Sequence, residues 1–245
     1  MAIGSQPRWT VRPAVGTQVD IDAGLRDYML RIYNYMASGL ALTGIVAYVF
    51  AAGDANSMYA AIARTPLIWL VMLAPLGFVM ALSYGINRMQ TSTAQALFWL
   101  FSAVMGISLA SVLLVFTGES IARVFFITAG TFAAMSLYGY TTQRDLAQFG
   151  SFLIMGLIGI VIASVVNIFI ASSALQFAIS VIGVIVFTGL TAWDTQRIKE
   201  NYFEVSQSGD GEVAGKAAIM GALSLYLDFI NLFMMLIQLL GVRRD

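Results

Sequence analysis

Residues 217–240 read AAIMGALSLYLDFINLFMMLIQLL, an apolar run of 24 residues that contains a single carboxylate, Asp228. A helix needs about 20 predominantly apolar residues to cross a hydrocarbon core about 30 Å thick. The run therefore predicts a transmembrane helix with one acid inside it. Because an ionised carboxylate is costly at membrane depth, we expect other helices to enclose this one.

Six further apolar runs precede this one along the chain. They cover residues 32–52, 67–84, 94–116, 121–140, 151–170 and 174–193, with polar segments between them. The 245 residues are 59% hydrophobic and 11% charged, whereas about a quarter of the residues of a soluble domain are charged. The sequence thus predicts an all-α integral membrane protein with seven transmembrane helices, which form one domain over residues 32–245.

Two polar segments lie outside the apolar runs. Residues 1–31 are rich in Arg and Asp and lack the apolar core of a signal peptide, so we expect a cytoplasmic N-terminal segment. Residues 194–216 contain several acids together with Gly209, Gly211 and Gly215. We predict a mobile cytoplasmic loop over this range.

We expect the protein to lie in the plasma or inner membrane of the cell. The positions of Lys and Arg predict that its N-terminus is cytoplasmic, since cytoplasmic connections carry an excess of these residues. In that orientation only Arg64 and Arg123 fall in outer connections. The inner side holds Arg8, Arg12, Arg26, Arg31, Arg88, Arg144, Arg197, Lys199 and Lys216. Arg243 and Arg244 fit poorly, because seven complete crossings leave them outside. Either the last run re-enters or breaks, or the terminal arginines are tolerated.

The composition excludes several classes of function. Cysteine and histidine are absent, which excludes disulfides, thiol nucleophiles, histidine metal ligands and Ser/His triads. Lys plus Arg and Asp plus Glu both number 13, so there is no basic surplus to attract nucleic acid. We expect no enzymatic activity, no nucleic-acid partner and no cofactor.

Two carboxylates lie at membrane depth: Asp194, at the cytoplasmic end of the sixth run, and Asp228. Helical spacing places Ser224 and Asn231 on the same face as Asp228, as supporting polar residues. Asp228 could instead be a protonated residue that only joins helices by a hydrogen bond. Asp194, beside the interfacial Trp193, could be a solvated residue at a helix end.

A contact between Asp194 and Asp228 would create a pH-sensitive site. Two touching carboxylates share a proton and titrate as a unit. When both are ionised, they offer oxygens to a hard cation such as Ca²⁺, which would bind transiently. Arg88, at the cytoplasmic end of the second run, is the basic residue best placed to compete for the pair, although it could equally be a positive-inside anchor.

Two motifs resemble the Bax inhibitor-1 family of transmembrane proteins, in the form of a bacterial member. Residues 187–199 read FTGLTAWDTQRIK, and residues 222–233 read ALSLYLDFINLF, which is close to the family pattern throughout. Weaker similarity extends back to the first crossing. Trp193 departs from the pattern, since relatives often have Tyr there.

The resemblance implies a fold and a function. Six helices would surround a central C-terminal helix, and the bundle would be a pH-sensitive leak channel for cations, chiefly Ca²⁺. Asp194 and Asp228 match the family's aspartate dyad, and Arg88 matches its arginine latch. The implied partners are the lipid bilayer, Ca²⁺ and protons.

A non-transporting function is the main alternative. The bundle would then bind and regulate another membrane protein, such as a quality-control protease, with the dyad setting its conformation. Two other classes fit poorly. An intramembrane aspartyl protease has a Gly-x-Gly-Asp turn that Asp228 lacks, and a retinal protein needs a lysine in the seventh run.

Overall fold

The computed structural model describes residues 18–53 and 56–244, with side chains described from Ala23 onward except that of Ser208. The helices in this part of the chain are α1 Gln18–Ala51, α2 Met58–Ala63, α3 Leu67–Gly85, α4 Thr91–Val115, α5 Gly118–Thr141, α6 Ala147–Ile170, α7 Ser173–Ser208 and α8 Gly211–Leu240. Within the described residues, every helix except α2 is long and apolar enough to cross a membrane. The predicted all-α fold with seven transmembrane helices is confirmed.

Helix α8 is the centre of the bundle. In its most apolar window 56% of the residues are buried, compared with 11% in α3 and 6% in α6. The main contacts of α8 are with α1, α4, α5 and α7, while α3 packs on α4 and α6 packs on α7. The two outer helices therefore expose apolar side chains along most of their length, as expected of surfaces that face lipid tails.

The predicted loop over residues 194–216 is wrong. Helix α7 continues to Ser208, and α8 begins at Gly211, where the Asp210 side chain caps it by accepting a hydrogen bond of 2.8 Å from Glu212 N. Only Gly209 and Asp210 connect the two helices, and Gly209 has a left-handed φ of 64° that suits glycine. Low hydropathy marks where a helix leaves the membrane, which is not where the helix ends.

The predicted N-terminal segment is also partly helical. Residues 18–31 belong to α1, although their polar composition predicts a separate segment before the bundle. Residues 1–17 of that predicted segment lie outside the described residues. The described part of the first helix thus begins 14 residues, or about four turns, before its apolar run.

The two ends of the bundle can be told apart by connectivity. We call the end with residues 86–88, 142–146 and 209–210 the proximal end, and the end with residues 116–117, 171–172 and 241–244 the distal end. The C-terminal tail pairs with the α4–α5 connection: Thr117 N donates to Val242 O (3.0 Å), and Arg244 N donates to Val115 O (2.9 Å). Because α8 is unbroken, Arg243 and Arg244 lie at the distal end after a complete seventh crossing.

Close approach of α5 to α7 depends on Gly139. A Cβ atom there would lie 2.2 Å from the carbonyl oxygen of Ala192, so Gly139→Ala should force the helices apart and cost about 1–3 kcal/mol. Gly130→Ala, on the same helix, is the matched control because a Cβ there meets nothing within 4 Å. Thermal unfolding in detergent should show a lower midpoint for Gly139→Ala alone. Equal midpoints would contradict the tight α5–α7 contact.

Orientation can be tested by thiol labelling, because the natural chain has no cysteine. Gln143, at the proximal end, and Ser173, at the distal end, are both exposed. If the proximal end is cytoplasmic, a membrane-impermeant maleimide should label Ser173→Cys in intact cells. It should label Gln143→Cys only after permeabilisation. The opposite pattern would reverse the predicted orientation.

Candidate functional site: a buried aspartate pair

Asp194 of α7 and Asp228 of α8 meet inside the bundle. They are 7% and 5% exposed, and their carboxyl groups lie against each other. Ionised carboxylates have only acceptor atoms, so a hydrogen bond between two of them requires a proton on one. The structure therefore brings together the two acids that the sequence singled out, in a contact that one shared proton would stabilise.

The pair lacks donors from other residues. Asp194 Oδ1 and Asp228 Oδ2 are buried and receive no hydrogen bond from an N–H or O–H group among the described residues. The nearby hydroxyls of Thr191 and Thr195 donate to carbonyl oxygens of their own helix, at 2.8 and 2.7 Å. Since an unsatisfied buried acceptor costs about 1–3 kcal/mol, Asp228 Oδ2 favours a proton or a cation, while Asp194 Oδ1 has the charge of Arg197 nearby.

Arg197 is the basic residue at the site. Its Nη2 lies 2.9 Å from Asp194 Oδ1, one helical turn away, and its side chain is 45% exposed. The contact is an ion pair without hydrogen-bond alignment, because Oδ1 has no hydrogen-bond partner. The guanidinium carbon also lies 4.8 Å from the ring centroid of Trp193, so the arginine is held by charge and by a cation–π contact.

The neighbours of Asp194 along α7 fix its position. Gln196 accepts a hydrogen bond from Leu146 N and donates one to Arg144 O, both at 2.8 Å, which ties α7 to the α5–α6 connection. Trp193 fits over Gly150 of α6, where a Cβ atom would lie 2.2 Å from the indole ring. Asp194 thus stands on a segment that two neighbouring helices hold in place.

Tyr226 fixes the rotation of α8 in the same way. It is fully buried, packs edge-on against Phe98 and Phe101, and hydrogen-bonds through its hydroxyl to Thr43 Oγ1 at 2.7 Å. Thr43 in turn donates to Ser102 O at 2.8 Å. Tyr226 faces α1 and α4, and Asp228, two residues later, lies on the side of α8 that faces α7.

The other predicted site residues are not part of the contact. Asn231 donates to Leu227 O of its own helix at 2.8 Å, and Ser224 is half-buried without a hydrogen bond to either acid. Arg88 is exposed in the 3₁₀ turn Ile86–Arg88 and makes no ion pair within the described residues. The sequence signal for Arg197 was its spacing of three residues from Asp194, which places both on one face of a helix.

Among the described residues, the site has two carboxylates and no third acid. Within residues 18–53 and 56–244, no group of three metal-ligating side chains occurs. A resident Ca²⁺ takes six to eight oxygen ligands as a rule. The pair alone therefore falls short of the ligand set of a resident Ca²⁺.

Comparison with known proteins assigns the chain to a family. A family model described as "Inhibitor of apoptosis-promoting Bax1" matches residues 25–245. The chain belongs to the Bax inhibitor-1 family. The match covers all seven long helices from Leu25 onward, including both aspartates, so the resemblance of residues 187–199 and 222–233 to this family is confirmed.

Several bacterial relatives of this Bax inhibitor-1 family member are similar over nearly their whole length. RP147 of Rickettsia prowazekii is 51% identical over 91% of the chain and 93% of its own length. A protein of Caulobacter vibrioides is 44% identical over 95% of each chain. Escherichia coli YbhL, named as an inner membrane protein, is 48% identical over 91% of this chain and 94% of its own.

Asp228→Asn tests the shared proton. An asparagine amide can donate to Asp194 at every pH, as a protonated Asp228 does. The variant should therefore stay folded, and its unfolding temperature should no longer depend on pH. The chain has no histidine, so between about pH 5.5 and 8 no ordinary side chain titrates, and a change in unfolding temperature there reports buried carboxyls. Parent protein in detergent should show such a change, and Asp228→Asn should not.

Glu200→Gln is the control for this measurement, because it removes an exposed acid from the same helix as Asp194. Its unfolding temperature should change with pH as that of the parent does. An equal pH dependence in parent and Asp228→Asn would show that the two carboxyls do not share a titrating proton.

Proposed function

We propose that this protein is a pH-sensitive leak channel for cations, chiefly Ca²⁺, in the bacterial inner membrane, controlled by Asp194 and Asp228. The observation that carries the proposal is the buried carboxyl contact between α7 and α8, with two oxygens that lack donors. The family membership supports it, and the name of the Escherichia coli relative supports the location. The proposal includes no catalytic step and no resident cofactor.

Proton loss is the step that would change the structure. While the proton is present, it joins α7 to α8 through the carboxyl–carboxyl hydrogen bond. When it leaves, two like charges face each other in a medium of low dielectric and repel strongly. The helices then separate, or a cation takes the proton's place. Either outcome couples pH to a path for cations along α8.

We infer that Arg197 is the competing positive charge in this cycle. It already contacts Asp194 Oδ1 at 2.9 Å, whereas Arg88 contacts neither acid. Because the Arg197 side chain is half-exposed, solvent screens its attraction to Asp194, and the ion pair is weak enough to break. The Trp193 ring offers the guanidinium a second contact when Asp194 binds a cation or a proton.

A structural feature also favours the alternative function. Helices α7 and α8 have 36 and 30 residues, which correspond to about 54 and 45 Å, so both exceed the hydrocarbon core. Their connected ends form a helical hairpin beyond the proximal surface, with Glu204 and Glu212 exposed beside Phe203 and Val213. A non-transporting regulator would use this hairpin to bind another membrane protein, such as a protease.

Ca²⁺ flux into liposomes distinguishes the two functions. Purified protein should pass Ca²⁺ at a rate that changes about fivefold or more across pH 5.5 to 8, which corresponds to about 1 kcal/mol of coupling. The Asp194→Asn/Asp228→Asn variant should lose that dependence, and the two single variants should have non-additive effects. Asp145→Asn, an exposed acid at the same end, is the control.

The same assay tests the two arginines. Arg197→Gln should shift the pH profile, because Asp194 loses its charge partner, and Arg88→Gln should leave the profile unchanged if it is only an anchor. A shift of the pH profile with Arg88→Gln but not with Arg197→Gln would support the sequence prediction that Arg88 is the latch. Flux no higher than in empty liposomes at every pH would overturn the leak and favour the regulator.

A further inference from the structure

A groove on the side of the bundle lies between α1 and α5. Both helices contact α8, but their proximal halves leave an open cavity of about 640 Å³ between them. This volume is in the range of sites that bind small molecules, about 300–1,000 Å³. The walls are apolar and include Met29, Leu30 and Met36 of α1 and Phe132, Ala133 and Leu137 of α5.

The proximal mouth of the groove is positively charged. Arg26 is the one charged residue that lines it, and Arg26 is exposed without an ion pair among the described residues. Lys199 lies behind Tyr140, another lining residue, with its Nζ 2.8 Å from Tyr140 O. An apolar channel with positive charge at one end complements a molecule with an apolar chain and an anionic head.

The groove runs from the proximal membrane surface into the proximal leaflet. Arg26 and Met36 are ten residues apart on α1, which is about 15 Å along a helix and about half of a 30 Å hydrocarbon core. Arg26 lies six residues, about 9 Å, before the apolar run that begins at Ile32, so a molecule whose head meets Arg26 would extend its chain into the proximal leaflet. The phospholipids of the proximal leaflet have this orientation and length.

We propose that the groove between α1 and α5 binds an anionic phospholipid, with an acyl chain along Met29, Leu30 and Phe132 and its phosphate at Arg26. Basic sites between transmembrane helices commonly bind such headgroups. The inference does not depend on the proposed leak, since it concerns a different surface of the bundle.

The position of the groove gives the lipid a structural effect. Ser136, in the groove wall, hydrogen-bonds to the hydroxyl of Tyr33 and lies 3.0 Å from Thr195 Oγ1. These three hydroxyls join α1, α5 and α7, and Thr195 directly follows Asp194. A chain in the groove packs over this junction and holds the three helices together.

Lipid-dependent unfolding tests the proposal. Delipidated protein in detergent should gain thermal stability, with saturation, from phosphatidylglycerol, and about tenfold more phosphatidylcholine with the same chains should be needed. Ala133→Trp, which fills the groove, should weaken the phosphatidylglycerol effect about tenfold or more. Ala134→Trp is the matched control, because Ala134 is exposed on the same helix and does not line the groove. The two variants should unfold at similar temperatures without lipid, which shows that both are folded.

Charge specificity needs a second pair of variants. Arg26→Gln should remove the preference for phosphatidylglycerol, and Arg31→Gln, an exposed arginine outside the groove, should keep it. Equal responses of Ala133→Trp and Ala134→Trp, or an unchanged preference in Arg26→Gln, would overturn the site. Stabilisation by oleate with none by phosphatidylglycerol would assign the groove to a free fatty acid and would also overturn the proposal.

Discussion

The contact between two buried carboxyl groups constrains the rest of this structure. Asp228 can be buried on the central helix only if something offsets the loss of hydration, and a proton held between Asp228 and Asp194 would do so. That requirement fixes the rotation of α8 relative to α7. It also explains why α8 is the most enclosed helix, since lipid on the Asp228 face would leave the acid without a partner.

Two separate networks hold the pair in register. On one side, Tyr226 joins α8 to α1 and α4 through Thr43 and the carbonyl of Ser102. On the other, Gln196 joins α7 to the α5–α6 connection. A third network lies at the distal end, where Asn167 of α6 donates to Gln176 of α7, which in turn hydrogen-bonds to Gln238 of α8. Helices α3 and α6 otherwise face lipid along most of their length. The Tyr226 and Gln196 networks thus hold the two segments that carry the acids, and the lipid-facing sides of the outer helices need only apolar surface.

The extent of the helices shows a limit of hydropathy. The apolar runs predicted the number and order of the crossings, because each residue's preference for lipid is a local property. They did not predict that α7 and α8 continue as a hairpin over most of residues 194–216. Outside the membrane a polar segment can still be helical if its ends are capped. Here Asp210 caps the start of α8, and Gly209 makes the turn after α7.

The sequence by itself determined the all-α membrane fold, the seven crossings, the family and the two acids at membrane depth. Each of these depends on composition or on a local motif. Only the tertiary structure decided that Asp194 and Asp228 touch, that Arg197 and not Arg88 lies beside them, and that a charged groove separates α1 from α5. These facts depend on how each helix is rotated and which helix it meets. Nearly every face of these helices is apolar, so the sequence has little periodicity from which those rotations could be predicted.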